Sequence, residues 1–274
     1  MSRIEKGRQT PSLSKLKALL SRLGLPSEKY YATLSEDEMT IETLKSEIVD
    51  FNTRLLYKEA LAKIEKLAAL TKENDKLTQQ FILRSRALAG KEKNSEIEPY
   101  TAKEQLELLW KAIRLTKPKF DLEDIDRLYY SLDEIKVINQ MGLLHIQAKQ
   151  YRKANEIYYL PKRYLDKRFH INESTSGIAI LIIYNYALSL CESKRYDEAE
   201  EIAEYGRKLS IKWSRSGSLG GLLYVLGECK YRNGRPEECK KYFIRSYYAF
   251  LNFDDFQNAE VTRDNLKEYF SMDI

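Results

Sequence analysis

The chain has 274 residues, enough for one large domain or two small ones. Gly and Pro number only 11 and 6, about half the usual share, which excludes a sandwich or barrel of many short, tightly turned strands. Hydrophobic residues make up 43%, enough to bury a core, and the longest mostly apolar run, Gly177 to Leu190, is too short to span a bilayer and contains Asn185.

The charge is unevenly spread. Residues 1–30 carry seven bases and two acids, whereas the other 244 residues carry 39 of each sign. The whole net charge of +5 therefore sits in a small basic head, the distribution expected when the head meets a polyanion and the body does something else. Three cysteines, Cys191, Cys229 and Cys239, fall in helical patterns; an odd number so placed reads as reduced thiols of a cytoplasmic protein. No apolar stretch follows the basic N-terminus, so no signal peptide is expected.

In chain order, the first element reads as the end of a helix over Ser2–Gln9, closed by Gly7. A second helix is predicted over residues 10–24, with Thr10 as cap, Pro11 at its first position and Gly24 just past its end. Leu13, Leu16, Leu19, Leu20 and Leu23 make one apolar face. The string Ser-Arg-Ile-Glu-Lys-Gly-Arg-Gln-Thr-Pro-Ser-Leu (residues 2–13), followed by this Leu-rich helix, resembles the second half of a Cro/CI-type (XRE family) helix-turn-helix domain. The resemblance implies that the first two helices and most of the recognition helix would precede Met1. What remains offers Arg3, Lys6 and Arg8 to DNA phosphates, contacts that position a protein without reading sequence. Residues 1–30 are expected to be a remnant of that domain, with Leu13, Leu16 and Leu20 lacking the core they would pack against.

Residues 31–274 read as a run of helix pairs. Tyr57/Ala60, Tyr151/Ala154, Tyr196/Ala199 and Pro236/Cys239 repeat one pattern: an aromatic or turn residue, two spacers, then a small residue early in a second helix. Gly142, Ala187 and Gly227 lie twelve residues before the last three small positions, where a first helix must approach the second closely. This is the arrangement of a tetratricopeptide repeat, with spacings of 45 and 40 residues between the small positions of the last three. The first pair is predicted at Thr40–Thr53 and Lys58–Leu70, a second at Leu77–Leu88 and Thr101–Leu115 with a polar link at Lys91–Glu98, and a terminal capping helix at Asp255–Phe270. The expected fold is all-α, a tetratricopeptide-like solenoid of about five helix pairs plus that cap.

A second resemblance enters at Leu115-Thr116-Lys117-Pro118-Lys119-Phe120-Asp121, followed by Ile135-Lys136-Val137-Ile138-Asn139 and the Tyr151/Ala154 repeat. This order is similar to the Rgg/PlcR-type regulators of Gram-positive bacteria, which join an XRE helix-turn-helix to a C-terminal tetratricopeptide-like domain. The resemblance implies a peptide-responsive transcriptional regulator whose repeat domain senses a short signalling peptide in its concave face and supports a homodimer on DNA. A DNA-independent adaptor using the same groove for a protein partner is the alternative. Phe256, Val261, Leu266 and Phe270 in the terminal helix offer an apolar face that suits either dimerisation or capping of the last repeat.

By repeat position, the groove is expected to be lined by Asn139, Gln140, Leu143 and Gln147, by Tyr184, Asn185, Leu188 and Glu192, and by Tyr224, Glu228, Tyr231 and Arg232. Amides both donate and accept, so Asn139 and Asn185 suit a peptide backbone, and Arg232 suits a terminal carboxylate. Motifs for catalysis are missing from the sequence: it has no phosphate-binding glycine loop, no His-Glu-x-x-His and no Cys pair at metal spacing. Gly217–Gly221 reads as a loop and helix start, and His145 and His170 stand alone. Neither enzymatic activity nor a cofactor is expected.

Overall fold

The structure, a computed structural model, describes residues 11–23, 36–90, 99–123, 129–167 and 171–274. Among the described residues it is entirely helical: α1 Leu13–Arg22, α2 Glu36–Thr53, α3 Tyr57–Leu70, α4 Lys76–Ala89, α5 Ala102–Thr116, α6 Leu132–Gln147, α7 Tyr151–Lys167, α8 Glu173–Glu192, α9 Tyr196–Lys212, α10 Leu219–Arg232, α11 Pro236–Leu251 and α12 Phe256–Phe270. The fold is tetratricopeptide-like. Two compact units divide the chain, residues 1–144 and 145–274.

In the first unit α2 pairs with α3 and α4 with α5. Its core joins Leu44 and Ile48 of α2, Tyr57, Ala60, Leu61, Ile64 and Leu67 of α3, and Phe81, Ile82 and Ala89 of α4. Tyr57 and Ala60, read as aromatic wedge and small contact, are both buried there. Phe120, from the Thr116–Asp121 link, is buried between the rings of Trp110 (5.6 Å) and Tyr130 (6.3 Å). Helix α1 docks on this unit. Leu20 is buried, Lys17 pairs with Glu42 at 2.6 Å, and Ser21 Oγ accepts from Leu132 N at 2.9 Å. The expectation that Leu20 would lack a packing partner is corrected: helices of the repeat body supply it. Ser12 is the N-cap of α1, so Pro11 precedes the cap and is not the first helical residue; Thr10 and Gly24 lie outside the described residues.

In the second unit α8 pairs with α9 and α10 with α11, and α12 closes on α11. Ala154, Ala199 and Cys239 are fully buried. Gly227 lets α10 approach α11 so closely that a Cβ there would stand 2.5 Å from the Phe243 ring. Turns are made with few glycines. Leu55, Lys149, Lys194, Gly234 and Asp254 all have positive φ, and each lies two residues before the next helix. The following N–H closes each turn on the carbonyl five residues back, for example Gln150 N to His145 O (2.8 Å), Arg195 N to Leu190 O (2.9 Å) and Arg235 N to Lys230 O (2.8 Å). This is a Schellman closure repeated along the chain.

Helix α8 is the one described helix long and apolar enough to cross a membrane, and 72% of that stretch is buried within the protein.

Candidate functional site

In the second unit, the predicted residues of α10 come together with α12. Tyr224 stacks on Phe243 (centroids 5.4 Å apart, planes at 23°), and its hydroxyl accepts from Asn265 Nδ2 at 2.8 Å. Tyr231 stacks on Tyr269 at 4.0 Å with the rings 7° from parallel. Glu228 accepts from Arg232 Nε at 2.7 Å and from the Tyr269 hydroxyl at 3.4 Å. Burial, together with the Glu228 carboxylate, pushes the Tyr269 phenol up to about 12.

Arg232 was expected to meet an incoming carboxylate, but Glu228 of the same helix already neutralises it, with the guanidinium 5.7 Å above the Tyr231 ring. Glu and Arg four residues apart face each other on a helix, so this pairing was readable in the sequence.

On α8, Tyr184 lays its ring on the bare backbone of Gly221, where a Cβ would stand 2.4 Å from the ring. Burial raises its phenol to about 12. Leu188 is half-buried, Glu192 is exposed, and Gln147, at the end of α6, is exposed. Asn185 was expected to face a groove. Instead it is buried, with its side chain hydrogen-bonded to Tyr158 of α7. Twelve of the twenty residues of α8 are buried, so the helix has no polar stripe from which its orientation could be read.

In the first unit, Asn139 and Gln140 are likewise buried and Leu143 is half-buried. The Gln140 amide donates to Arg84 O at 3.4 Å, bracing α6 against α4. All of α6 from Glu134 to Gly142 is buried except Lys136, so periodicity does not show which of its amides would face a groove.

A cluster of cations that the sequence reading missed surrounds this contact. The Arg84 guanidinium lies 5.8 Å from the Phe81 ring centre, Lys45 Nζ lies 6.0 Å from the same centre, and Lys136 Nζ bonds Asp133 at 3.0 Å. Burial lowers the affinity of Arg84 for its proton, while the Asp133 charge partly restores it. A signal was present in Arg84, a cation at helical spacing from Phe81 and Leu88.

Arg3, Lys6 and Arg8, expected to meet DNA phosphates, lie outside the described residues, as does His170. His145 Nδ1 is hydrogen-bonded to Gln150 Oε1 at 2.8 Å. All three cysteines are buried and free. Among the described residues no group of three or more His, Cys, Asp or Glu side chains is placed to hold a metal ion.

The profile of the RNPP family C-terminal domain matches residues 45–266. The chain belongs to the RNPP family. This RNPP protein is similar in fold to PlcR of Bacillus thuringiensis, solved with the peptide PapR7 and DNA: 18% identity and a TM-score of 0.69, covering 95% of this chain and 87% of that one. It is also similar to ComR of S. thermophilus, solved with DNA and its signalling peptide ComS, at 15% identity and a TM-score of 0.56, covering 97% and 88%. The TPR-like repeats of a Podosopora anserina kinesin light chain superpose at 12% identity and a TM-score of 0.52, over 81% of this chain and 100% of theirs. No curated protein matches the chain.

Proposed function

We propose that this RNPP protein is a peptide-responsive transcriptional regulator of the cytoplasm, in which the repeat domain, residues 31–274, senses a short signalling peptide. One observation carries the reading. The fold follows, over 95% of the chain, that of a PlcR solved with both a peptide and DNA, and the family profile spans 45–266. In the second unit the half-buried rings of Tyr184, Tyr224 and Tyr231, with Leu188 and Glu228, are the surface on which such a peptide would lie. Residues 1–30 would belong to a helix-turn-helix, with Arg3, Lys6 and Arg8 as its phosphate contacts. A homodimer would form through the exposed Phe256 and Val261 of α12, since Leu266 is fully buried and Phe270 is turned inward against Tyr231.

Titration of the purified chain with a library of short linear peptides tests the sensor role. Saturable binding of some members, weakened by Tyr224→Ala, is expected; a library in which nothing binds would overturn it. Salt dependence tests the head. Replacing any one of Arg3, Lys6 or Arg8 by Ala should lower the log–log slope of DNA affinity against salt by about 1.

A further inference from the structure

We infer that Arg84, flanked by Lys45 and Lys136, is the seat of a carboxylate-binding site that takes the C-terminal residue of a peptide; this rests on the sensor reading above. The site stands on α2, α4 and α6 of the first unit.

Arg84 is half-buried, its Nε is shut away from solvent without a hydrogen-bond partner, and no described carboxylate lies within ion-pair distance of it. An arginine cannot shed its proton to escape burial, so its charge must be offset by a partner. The other arginine that faced this role, Arg232, is already paired with Glu228. Around Arg84 the balance is positive. Lys136, Arg84 and Lys45 together hold the exposed Asp133 carboxyl below its ordinary value, so three cations act on one carboxylate. Lys45 has a second acidic neighbour, Glu42 at 3.1 Å, but Glu42 is shared with Lys17 at 2.6 Å.

The chemistry favours a carboxylate on an apolar residue. The planar guanidinium fork matches a carboxylate in two parallel hydrogen bonds. The Phe81 ring beside it suits an apolar side chain, and Asp133 repels a doubly charged phosphate more than a singly charged carboxylate.

The test follows the Arg84 Nε–H resonance in the full chain labelled with 15N-arginine. The probes are N-acetyl-phenylalanine, N-acetyl-phenylalaninamide and inorganic phosphate. A saturable shift with the acid alone is expected, with a Kd of about 1–10 mM for a single anchored residue. Because Arg84→Gln removes the reporter itself, its response is read from the neighbouring Gln140 side-chain amide. Arg84→Gln should weaken binding at least about tenfold, and Arg84→Lys, which keeps the charge and loses the fork, should fall between. An equal shift with the amide or with phosphate, or no shift with any probe, would overturn the site. In parallel, library peptides that bind wild type and Arg84→Gln equally well would sink this site while leaving the sensor role standing. A library in which nothing binds would sink the sensor role, and the N-acetyl-phenylalanine titration would still decide the site.

Discussion

Arg22 of α1 and Glu134 of α6 are joined by two contacts, Nη2 to Oε1 at 2.5 Å and Nε to Oε2 at 3.4 Å, although 112 residues separate them. The Glu134 side chain is fully buried and also caps its own helix: it accepts from Ser131 N at 2.7 Å, and its N–H donates to Ser131 Oγ at 3.3 Å. One carboxylate therefore starts α6 and clamps the head helix, next to Asp133, which feels the charge of Arg84. Removing Arg22 strands a buried charge. Arg22→Ala should cost about 2–3 kcal/mol in urea unfolding, less than for a fully enclosed pair because Arg22 keeps some solvent contact. A midpoint unchanged from wild type would show that α1 is not held there.

Gly227 and Phe243 make the tightest small-to-aromatic contact between α10 and α11. Phe243 is fully buried and stacked on Tyr224, so its ring cannot swing aside. Gly227→Ala improves helix propensity, yet it should destabilise by about 1–3 kcal/mol through overpacking. A gain in stability would refute the close approach.

Lys194 turns the chain from α8 to α9 at φ 64°. A side chain in that left-handed conformation costs about 1–2 kcal/mol. Lys194→Gly should therefore raise the urea midpoint slightly, whereas Glu201→Gly, exposed in the middle of α9, should lower stability by about 1 kcal/mol. The same residue type inserted at two sites would act with opposite sign.

Stability should fall in acid. Burial would raise Glu42, but its Lys17 and Lys45 contacts hold it below its ordinary 4.5, and Lys136 with Arg84 holds the exposed Asp133 below its ordinary 3.8. A carboxyl depressed in the folded state stabilises above its unfolded pKa and loses that contribution as pH falls through the folded one. The unfolding midpoint should hold steady down to about pH 5, decline below about pH 4, and decline less steeply in Asp133→Asn.

The cysteines should be silent in the native protein. The hydrogen bond to Cys229 and then burial push the Cys191 thiol far up, and burial raises Cys239 to about 12. A thiolate is the reactive form, so a disulfide reagent at pH 8 should label none of the three until urea is added. Rapid labelling of Cys191 in the native state would refute its burial.

What could be read along the chain was whatever depends on near neighbours. The apolar spacing of α1, the Ala and Gly positions at helix crossings, and the Tyr57, Tyr151 and Tyr196 wedges all follow from a 3.6-residue period and from side-chain size. So do the helix pairs themselves. The turns were harder to see, because Leu55, Lys149, Lys194 and Asp254 adopt a conformation usually signalled by glycine. Orientation and pairing were decided by packing alone. Helices α6 and α8 are buried on so many sides that periodicity could not tell which of their amides met solvent. Whether Arg84 or Arg232 holds a free charge depends on neighbours brought from other helices. Asp133 lies 49 positions from Arg84, and no local rule sums the charges that meet in space.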